Sequence, residues 1–269
     1  MKIAVAQISC VLGDLEANIG KLRACCRRAR EAGAELIVFP EMADTGYSMP
    51  VIRQKAQPWS VGAVPVLQET ARELSVHIIS GVSEQDGSSI YNSQACIDAD
   101  GRLAAKYRKT HLFSCAPIQE NECFTAGGGL TTFALREFRV GLSICYDLRF
   151  PEFYRALACE RQADVLVISS AWPFPRVEHL RVLATARAIE NQCYVIVANR
   201  VGTDAGVTFC GTSVIIDPYG VVMAAASADR DEIIYADLSQ KVLLGVRERM
   251  PVFTDRRLDM YPERQAAAP

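Results

Sequence analysis

The chain has 269 residues, of which half are apolar and 22% are charged, and its formal net charge is −2. This composition is typical of a globular protein that can bury a large core without cross-links, and it excludes a strongly basic nucleic-acid surface. The sequence contains no run of about 18 apolar residues that could span a membrane. Its first ten residues, MKIAVAQISC, alternate like a strand, so we expect no signal peptide.

Ten cysteines are spread along the sequence. They form no C-x-x-C pair and no histidine stands at zinc spacing, so we expect neither a zinc site nor a disulfide scaffold. Several lie in apolar segments such as QCYVIVAN, which indicates buried free thiols that pack as small hydrophobic groups. Free thiols predict a reducing compartment, and we therefore expect the protein in the cytoplasm.

Short apolar segments alternate with amphipathic ones from the N-terminus onwards. The alternation predicts an α/β protein in which helices cover sheets. The expected strands are 2–9, 35–40, 76–83, 93–99, 139–147, 164–171, 193–199, 211–218 and 231–238, and the expected helices are 15–33, 64–75, 152–162 and 179–192.

The order of these elements repeats once. One half runs from the first strand through FPE (39–41) to a hairpin at DADGR, and the other runs from the strand before Cys145 to a hairpin at DPYGV. We expect two similar halves packed within one domain over 1–269, since no linker separates them. The stretch from about residue 250 lacks periodicity and is predicted to be a C-terminal arm.

Two charged residues stand close to strand ends, where α/β sheets gather their active sites. Glu41 directly follows ELIVFP, and it is either a general base in a dry pocket or a carboxylate that caps a loop. Lys109 stands in a basic stretch with Lys106 and Arg108. It is either a surface lysine or, if it points inward beside a carboxylate, a group that stabilises an oxyanion.

Cys145 is the third candidate, in RVGLSICYDLRFPE. A strand leads into the cysteine, the next residues turn the chain, and a helix begins with Pro151 at a favoured first-turn position. This strand–turn–helix pattern is similar to a nucleophile elbow, which exposes a side chain and the neighbouring N–H groups. The alternative is one more buried structural thiol.

Together these segments resemble the carbon–nitrogen hydrolase, or nitrilase, superfamily. The resemblance is carried by FPE, K-x-H-L-F, G-L-x-I-C-Y-D-L-R-F-P-E, ARAIENQCYVIVANRVG (186–202), D-P-Y-G and R-x-x-x-P-V-F-x-D-R-R, in this order over nearly the whole chain. It implies a four-layer α-β-β-α sandwich with pseudo-symmetric halves. It also implies a homodimer or higher homo-oligomer, in which helices near the nucleophile and the C-terminal arm pack on a partner.

The resemblance implies that Glu41, Lys109 and Cys145 are a catalytic triad. The Cys145 thiolate attacks an amide carbon, and Lys109 with the backbone N–H of Tyr146 holds the oxyanion. Glu41 takes the thiol proton, passes it to the leaving nitrogen and then activates water to hydrolyse the thioester. This chemistry requires no metal and no organic cofactor.

A further glutamate is implied in the setting E-x-x-x-F-x-x-G. Glu120 fits this spacing with Phe124 and Gly127, whereas the nearby Glu122 fits less well. We expect Glu120 to position Lys109 or the substrate. The alternative is a loop carboxylate paired with an arginine.

The expected reaction is hydrolysis of a small linear amide to a carboxylate and ammonia. The sequence resembles those of short aliphatic amidases and of omega-amidases, which act on 2-oxoglutaramate or 2-oxosuccinamate. Many relatives have a glycine-containing loop and then a His-Trp pair, whereas here Trp172-Pro173-Phe174-Pro175 is followed by His179 and Leu180. Tyr47, Tyr146 and Trp172 are candidate walls of the substrate pocket.

Three arginines are candidate partners for a substrate carboxylate, namely Arg149, Arg176 and Arg187. Arg187 lies in the middle of a predicted helix, where it is placed to brace Glu190 or a dimer contact. The sequence does not choose among the three.

Other functions remain open from the sequence. A nitrilase, an N-carbamoyl amine hydrolase or a deaminated-glutathione amidase could use the same fold. A papain-like hydrolase would pair Cys145 with His111 or His179. A non-enzymatic scaffold could retain the fold, and a redox role of Cys115 or Cys123 is also open.

Overall fold

The computed structural model of the chain describes residues 1–260, which contain six α-helices and sixteen strands. In chain order the helices are α1 (Leu15–Glu31), α2 (Met49–Lys55), α3 (Ala63–Leu74), α4 (Pro151–Cys159), α5 (Val177–Asn191) and α6 (Gln240–Arg249). The strands are β1 (Lys2–Gln7), β2 (Leu36–Val38), β3 (His77–Asp86), β4 (Ser89–Ile97), β5 (Leu103–Arg108), β6 (Ser114–Cys115), β7 (Ile118–Gln119), β8 (Thr132–Leu135), β9 (Phe138–Ile144), β10 (Val165–Ser170), β11 (Tyr194–Asn199), β12 (Thr203–Asp204), β13 (Val207–Thr208), β14 (Val214–Ile216), β15 (Val222–Ala225) and β16 (Glu232–Asp237).

Two six-stranded sheets have the same topology. The N-terminal sheet has the order β16-β1-β2-β3-β4-β5, and the C-terminal sheet, read in the matching direction, has the order β8-β9-β10-β11-β14-β15. In each sheet three consecutive strands are parallel, with one antiparallel strand on one side and an antiparallel pair on the other. This repeat confirms the predicted pseudo-symmetric halves.

The alternation of side chains along β1 explains the layers. Ile3 and Val5 belong to the core between the two sheets, whereas Ala4 and Ala6 pack with Leu22 of α1 on the outer face. On the other side, α4 and α5 cover the C-terminal sheet. The predicted four-layer α-β-β-α sandwich is therefore confirmed.

The helix ends follow local rules. Asp14 caps α1 by accepting a hydrogen bond from the Ala17 N–H at 3.0 Å, and Gly33 just beyond the helix has a φ of +81°. Pro151 is the first residue of α4, as predicted. The sequence did not predict α2 and α6, which are short and bury few side chains.

The predicted arm from about residue 250 begins directly after α6. Within the described residues it ends in a 3-10 turn at Leu258–Met260, and the rest of the arm, 261–269, lies outside the described part of the chain. Over residues 1–260, no helix is long and apolar enough to cross a membrane.

Candidate active site

The centre of the site is a buried lysine between two buried glutamates. Lys109 Nζ lies 2.9 Å from Glu41 Oε1 and 2.8 Å from Glu120 Oε1, and all three side chains are fully shielded from solvent. Asn92 joins the same group, since its Nδ2 lies 2.6 Å from Glu41 Oε1 and 3.2 Å from Glu120 Oε1. A lysine buried this deeply is stable only when such partners compensate its charge.

The charges in this cluster depend on each other. Burial alone would lower the pKa of Lys109, but Glu120 and Glu41 raise it well above its ordinary value, so the ammonium stays charged. Burial raises the pKa of Glu120, and Lys109 opposes that shift. The cluster therefore holds a fixed positive charge between two buried carboxyl groups.

Close backbone packing positions Glu41. It follows β2, and a Cβ at position 81 would lie 2.5 Å from the Pro40 carbonyl oxygen and 2.6 Å from the Glu41 Cα, so only glycine fits there. The backbone N–H of Ala171, just after β10, donates to Glu41 Oε2 at 2.8 Å. The carboxylate is thereby held between the two sheets.

Glu120 is held from several sides. Its Oε2 accepts from the Phe113 N–H at 2.6 Å, and its Oε1 accepts from the Tyr47 hydroxyl at 2.8 Å. Further along the same loop, a Cβ at Gly127 would lie 2.1 Å from the Arg108 carbonyl oxygen. The glycine of the E-x-x-x-F-x-x-G spacing thus lets this loop lie against the chain that carries the lysine.

Cys145 stands at a strained turn after β9. Its φ is +44°, a left-handed conformation that is uncommon for a residue other than glycine, and it begins the 3-10 turn Cys145–Arg149. Asp147 stabilises the turn by accepting from the Ile144 N–H at 2.8 Å, and Arg187 donates to the Leu148 carbonyl at 2.8 Å. The strand predicted over 139–147 therefore ends at residue 144, where the elbow begins.

The surroundings of Cys145 favour the protonated thiol. Burial and the neighbouring Glu41 raise the pKa of Cys145, and Lys109 opposes them. A protonated thiol is a weak nucleophile, so a reaction at this sulfur requires a base that accepts its proton.

A narrow cleft leads to Cys145, and the three aromatic residues predicted as pocket walls, Tyr47, Tyr146 and Trp172, all line it. Arg149 and Arg176 line it as well. The Arg149 guanidinium lies 4.8 Å from the centroid of the Trp172 ring, and the Arg176 guanidinium lies 5.5 Å from that of Phe113. Neither arginine pairs with a carboxylate among residues 1–260.

Comparison with known proteins identifies the family. The model of the carbon-nitrogen hydrolase family matches residues 2–247. The chain belongs to this family. It is 38% identical to the 2-oxoglutaramate amidase of Bacillus subtilis over 85% of the chain and 87% of that protein. It is 33% identical to the omega-amidase NIT2 of Homo sapiens, with 95% and 94% covered.

A solved structure supports the same assignment. A carbon-nitrogen hydrolase superfamily protein of Xanthomonas campestris superimposes with a TM-score of 0.89 at 27% identity, covering 95% of this chain and 97% of the other. The predicted nitrilase-superfamily fold is confirmed, and the chain is a hydrolase of carbon–nitrogen bonds other than peptide bonds.

Arg187 and the histidines have other contacts. Arg187 is buried and pairs with Glu190 at 2.9 Å, as its place in a helix predicted, so it faces the elbow and not the cleft. His111 Nδ1 lies 2.7 Å from Asp147 Oδ1, and His179 is exposed beside Arg149. Within the described residues no hydrogen bond joins a histidine to Cys145, and the papain-like alternative finds no support.

The prediction of Glu120 over Glu122 agrees with the geometry, since Glu122 is exposed and lies 3.9 Å from Arg53. Cys115 is exposed, and Cys123 is half-buried with its Sγ 3.7 Å from the Met49 carbonyl oxygen. A redox role for either thiol stays untested. No cluster of three or more metal-ligating side chains occurs within 1–260.

Two groups of the site were not predicted from the sequence. Asn92 lies in β4 and contacts both glutamates. In the sequence it stands out only as a polar residue in a strand that packs against a core. The Ala171 N–H carries no side-chain signal at all.

Proposed function

We propose that this chain is an amidase that hydrolyses the terminal amide of a small carboxylate-bearing substrate and releases ammonia. One observation carries the proposal. The buried Lys109 between two glutamates adjoins a cysteine at a strained elbow, at the end of a cleft lined by two arginines without acidic partners. The names of the relatives, 2-oxoglutaramate amidase and omega-amidase, support this activity.

The first half of the reaction forms a thioester. Glu41 takes the proton of Cys145, and the sulfur attacks the amide carbon. The negative oxygen of the tetrahedral intermediate is stabilised by the Lys109 ammonium and by the backbone N–H of Tyr146 at the start of the 3-10 turn. Glu41 then returns its proton to the amide nitrogen, the carbon–nitrogen bond breaks and ammonia leaves.

The second half hydrolyses the thioester. Water enters where ammonia was, Glu41 removes its proton, and the hydroxide attacks the thioester carbon. The same donors hold the second oxyanion, after which the carbon–sulfur bond breaks and the sulfur regains the proton from Glu41. Glu120 and Asn92 keep Lys109 and Glu41 in place through both halves.

The two arginines select the substrate. Each guanidinium is ordered against an aromatic ring and is free to form a bidentate pair with a carboxylate. An anion held there, with its amide at Cys145, requires a chain of a few carbons between the two groups. A neutral aliphatic amide would leave both positive charges unpaired.

We further propose that the chain is a single domain whose C-terminal arm contributes to a homodimer, and that it functions in the cytoplasm. Exposed apolar side chains on α5 and beside it, such as Val182, Ile189 and Val222, support an interface with a second copy. Ten cysteines without a disulfide support a reducing compartment.

Ammonia release from a panel of substrates tests the function. The panel is 2-oxoglutaramate, glutaramate, propionamide, a simple nitrile and an N-carbamoyl amine, each with the wild type and Cys145→Ala. We expect the two anionic amides to turn over best and the variant to be inactive. Turnover of the nitrile or carbamoyl compound above both anionic amides would contradict the proposal.

A further inference from the structure

One buried hydroxyl next to the nucleophile has no assigned role. Ser170 is the last residue of β10 and is fully buried, and its Oγ has no hydrogen-bond partner among the described residues. The preceding Ser169 is different, since it donates to the Phe39 carbonyl at 2.7 Å and accepts from Gln94 at 2.8 Å. A buried hydroxyl without a partner destabilises a fold, which calls for an explanation in terms of function.

The strand register places this hydroxyl at the reacting atoms. Ile144 pairs with Ser169 in the parallel β9–β10 ladder, so the next residues, Cys145 and Ser170, lie side by side at the ends of the strands. The residue after Ser170, Ala171, donates its N–H to Glu41. Ser170 therefore lies beside the nucleophile, and it directly precedes the residue that contacts the proposed base.

The charge balance explains why a neutral donor is useful at this point. Lys109 already neutralises part of the charge of two carboxylates, and a thiolate adds a third negative group to the same dry site. Burial and Glu41 raise the pKa of the Cys145 thiol, whereas Lys109 and the Ser170 hydroxyl lower it. A hydroxyl stabilises the anion without adding a charge that must itself be buried.

We propose that Ser170 is a further catalytic group of this enzyme, whose hydroxyl donates a hydrogen bond to the Cys145 sulfur once that sulfur is a thiolate. The inference rests on the proposed function, in which Cys145 is the nucleophile. In the resting site the hydroxyl lies beside the sulfur without a well-aligned hydrogen bond, and the bond forms as the sulfur gains charge.

The test compares two neighbouring serines on the same strand. Ser170→Ala removes the donor, and Ser169→Ala makes the same change in a serine whose hydrogen bonds are structural. For each purified full-length variant, the rate of Cys145 alkylation by iodoacetamide is measured against pH, with the modified cysteine identified by mass spectrometry. Thermal unfolding and kcat for the best amide are measured in parallel.

We expect Ser170→Ala to move the alkylation midpoint of Cys145 upward by about one to two pH units, since a hydrogen bond to a charged group has that strength. Its kcat falls about 10-fold, and its Tm stays equal or rises by about 2–4 °C because an unsatisfied polar group is gone. Ser169→Ala should lower the Tm and leave the alkylation midpoint in place.

An unchanged midpoint in Ser170→Ala, or an equal shift in both variants, would overturn the inference. Alkylation needs no substrate, so this result is separate from the proposed function. If Cys145→Ala retains amidase activity, the proposed function fails. If Cys145→Ala is inactive while Ser170→Ala titrates like the wild type, only the role of Ser170 fails.

Discussion

The two halves of the sandwich share a topology but contribute different groups to the site. The N-terminal half leads from β2 to Glu41, and the C-terminal half leads from the matching strand β10 to Ser170 and Ala171. These equivalent strand ends meet, because the Ala171 N–H donates to Glu41. The same architecture therefore brings two strand ends together, and local sequence decides which chemistry each end carries.

A cysteine follows the first strand of each half, but only one stands at an elbow. Cys10 comes three residues after β1, whereas Cys145 directly follows β9 with a φ of +44°. Asp147 holds the second turn through the Ile144 N–H, and nothing in the residues 8–10 takes a positive φ. The proposed nucleophile therefore differs from Cys10 in its strained turn and in the hydrogen bond that stabilises that turn.

The largest expected effect concerns the two cysteines. Cys145→Ala should reduce kcat/KM for the anionic amide by more than ~10³-fold, because no other group can form the thioester. Cys10→Ala, the matched change in the other half, should leave kcat/KM close to that of the wild type. Steady-state ammonia release measures both, and comparable losses in the two variants would mean that Cys145 is only structural.

Two buried carboxylates of the N-terminal sheet give the next effect. Glu41→Gln should reduce kcat by ~10²–10⁴-fold, because the amide side chain cannot carry the proton. The control is Glu84→Gln, where Glu84 is 2.6 Å from Lys106 Nζ and 2.9 Å from Arg108 Nε and, within the described residues, has no hydrogen bond to Glu41, Lys109 or Cys145. It should lower the Tm and keep most of the activity. A normal kcat in Glu41→Gln would support a mechanism that uses a histidine as the base.

The two arginines of the C-terminal half are expected to affect substrate binding. Arg149→Leu and Arg176→Leu should each raise KM for 2-oxoglutaramate by ~10–100-fold, the strength of one hydrogen bond to a charged group. Propionamide lacks the carboxylate, and its low turnover should not fall further. Arg181→Leu, which removes an exposed arginine on α5, is the control. Equal losses for both substrates would place the arginines in folding and not in recognition.

The smallest effect is a pH dependence of stability that comes from Glu84. Burial alone would raise the pKa of Glu84, but hydrogen bonds from Arg108 and Lys106 hold it below its ordinary value of 4.5. Because the folded state binds the proton less tightly, this stabilisation is complete above pH 4.5 and is lost as the pH falls through the lower folded value.

Urea unfolding of the wild type and Glu84→Gln measures that dependence. The difference in the free energy of unfolding between them should be constant above pH 4.5 and should shrink as the pH falls below it. A difference that stays constant down to pH 3 would mean that the ion pairs of Glu84 do not stabilise the folded state.

Much of the architecture could be predicted because it depends on local patterns. The alternation of apolar residues predicted most strands of both sheets but not β8, and Pro151 marked the start of α4. Short α2 was not predicted, since its seven residues contain a proline and bury one side chain. The resemblance to a family rests on motifs such as FPE and ICYDLRFPE. It identified the candidates Glu41, Lys109, Glu120 and Cys145.

The alternating elements, the repeat of two halves and the family of the chain can be recognised from the amino-acid sequence, because each depends on segments that are local or keep their order. Which polar groups meet depends on how these segments pack in three dimensions. Asn92 reaches Glu41 across 51 positions, and the Ala171 N–H reaches it across 130. Packing likewise places Arg149 and Arg176 in the cleft and Arg187 outside it, since exposure and contacts depend on neighbours that are distant in the chain.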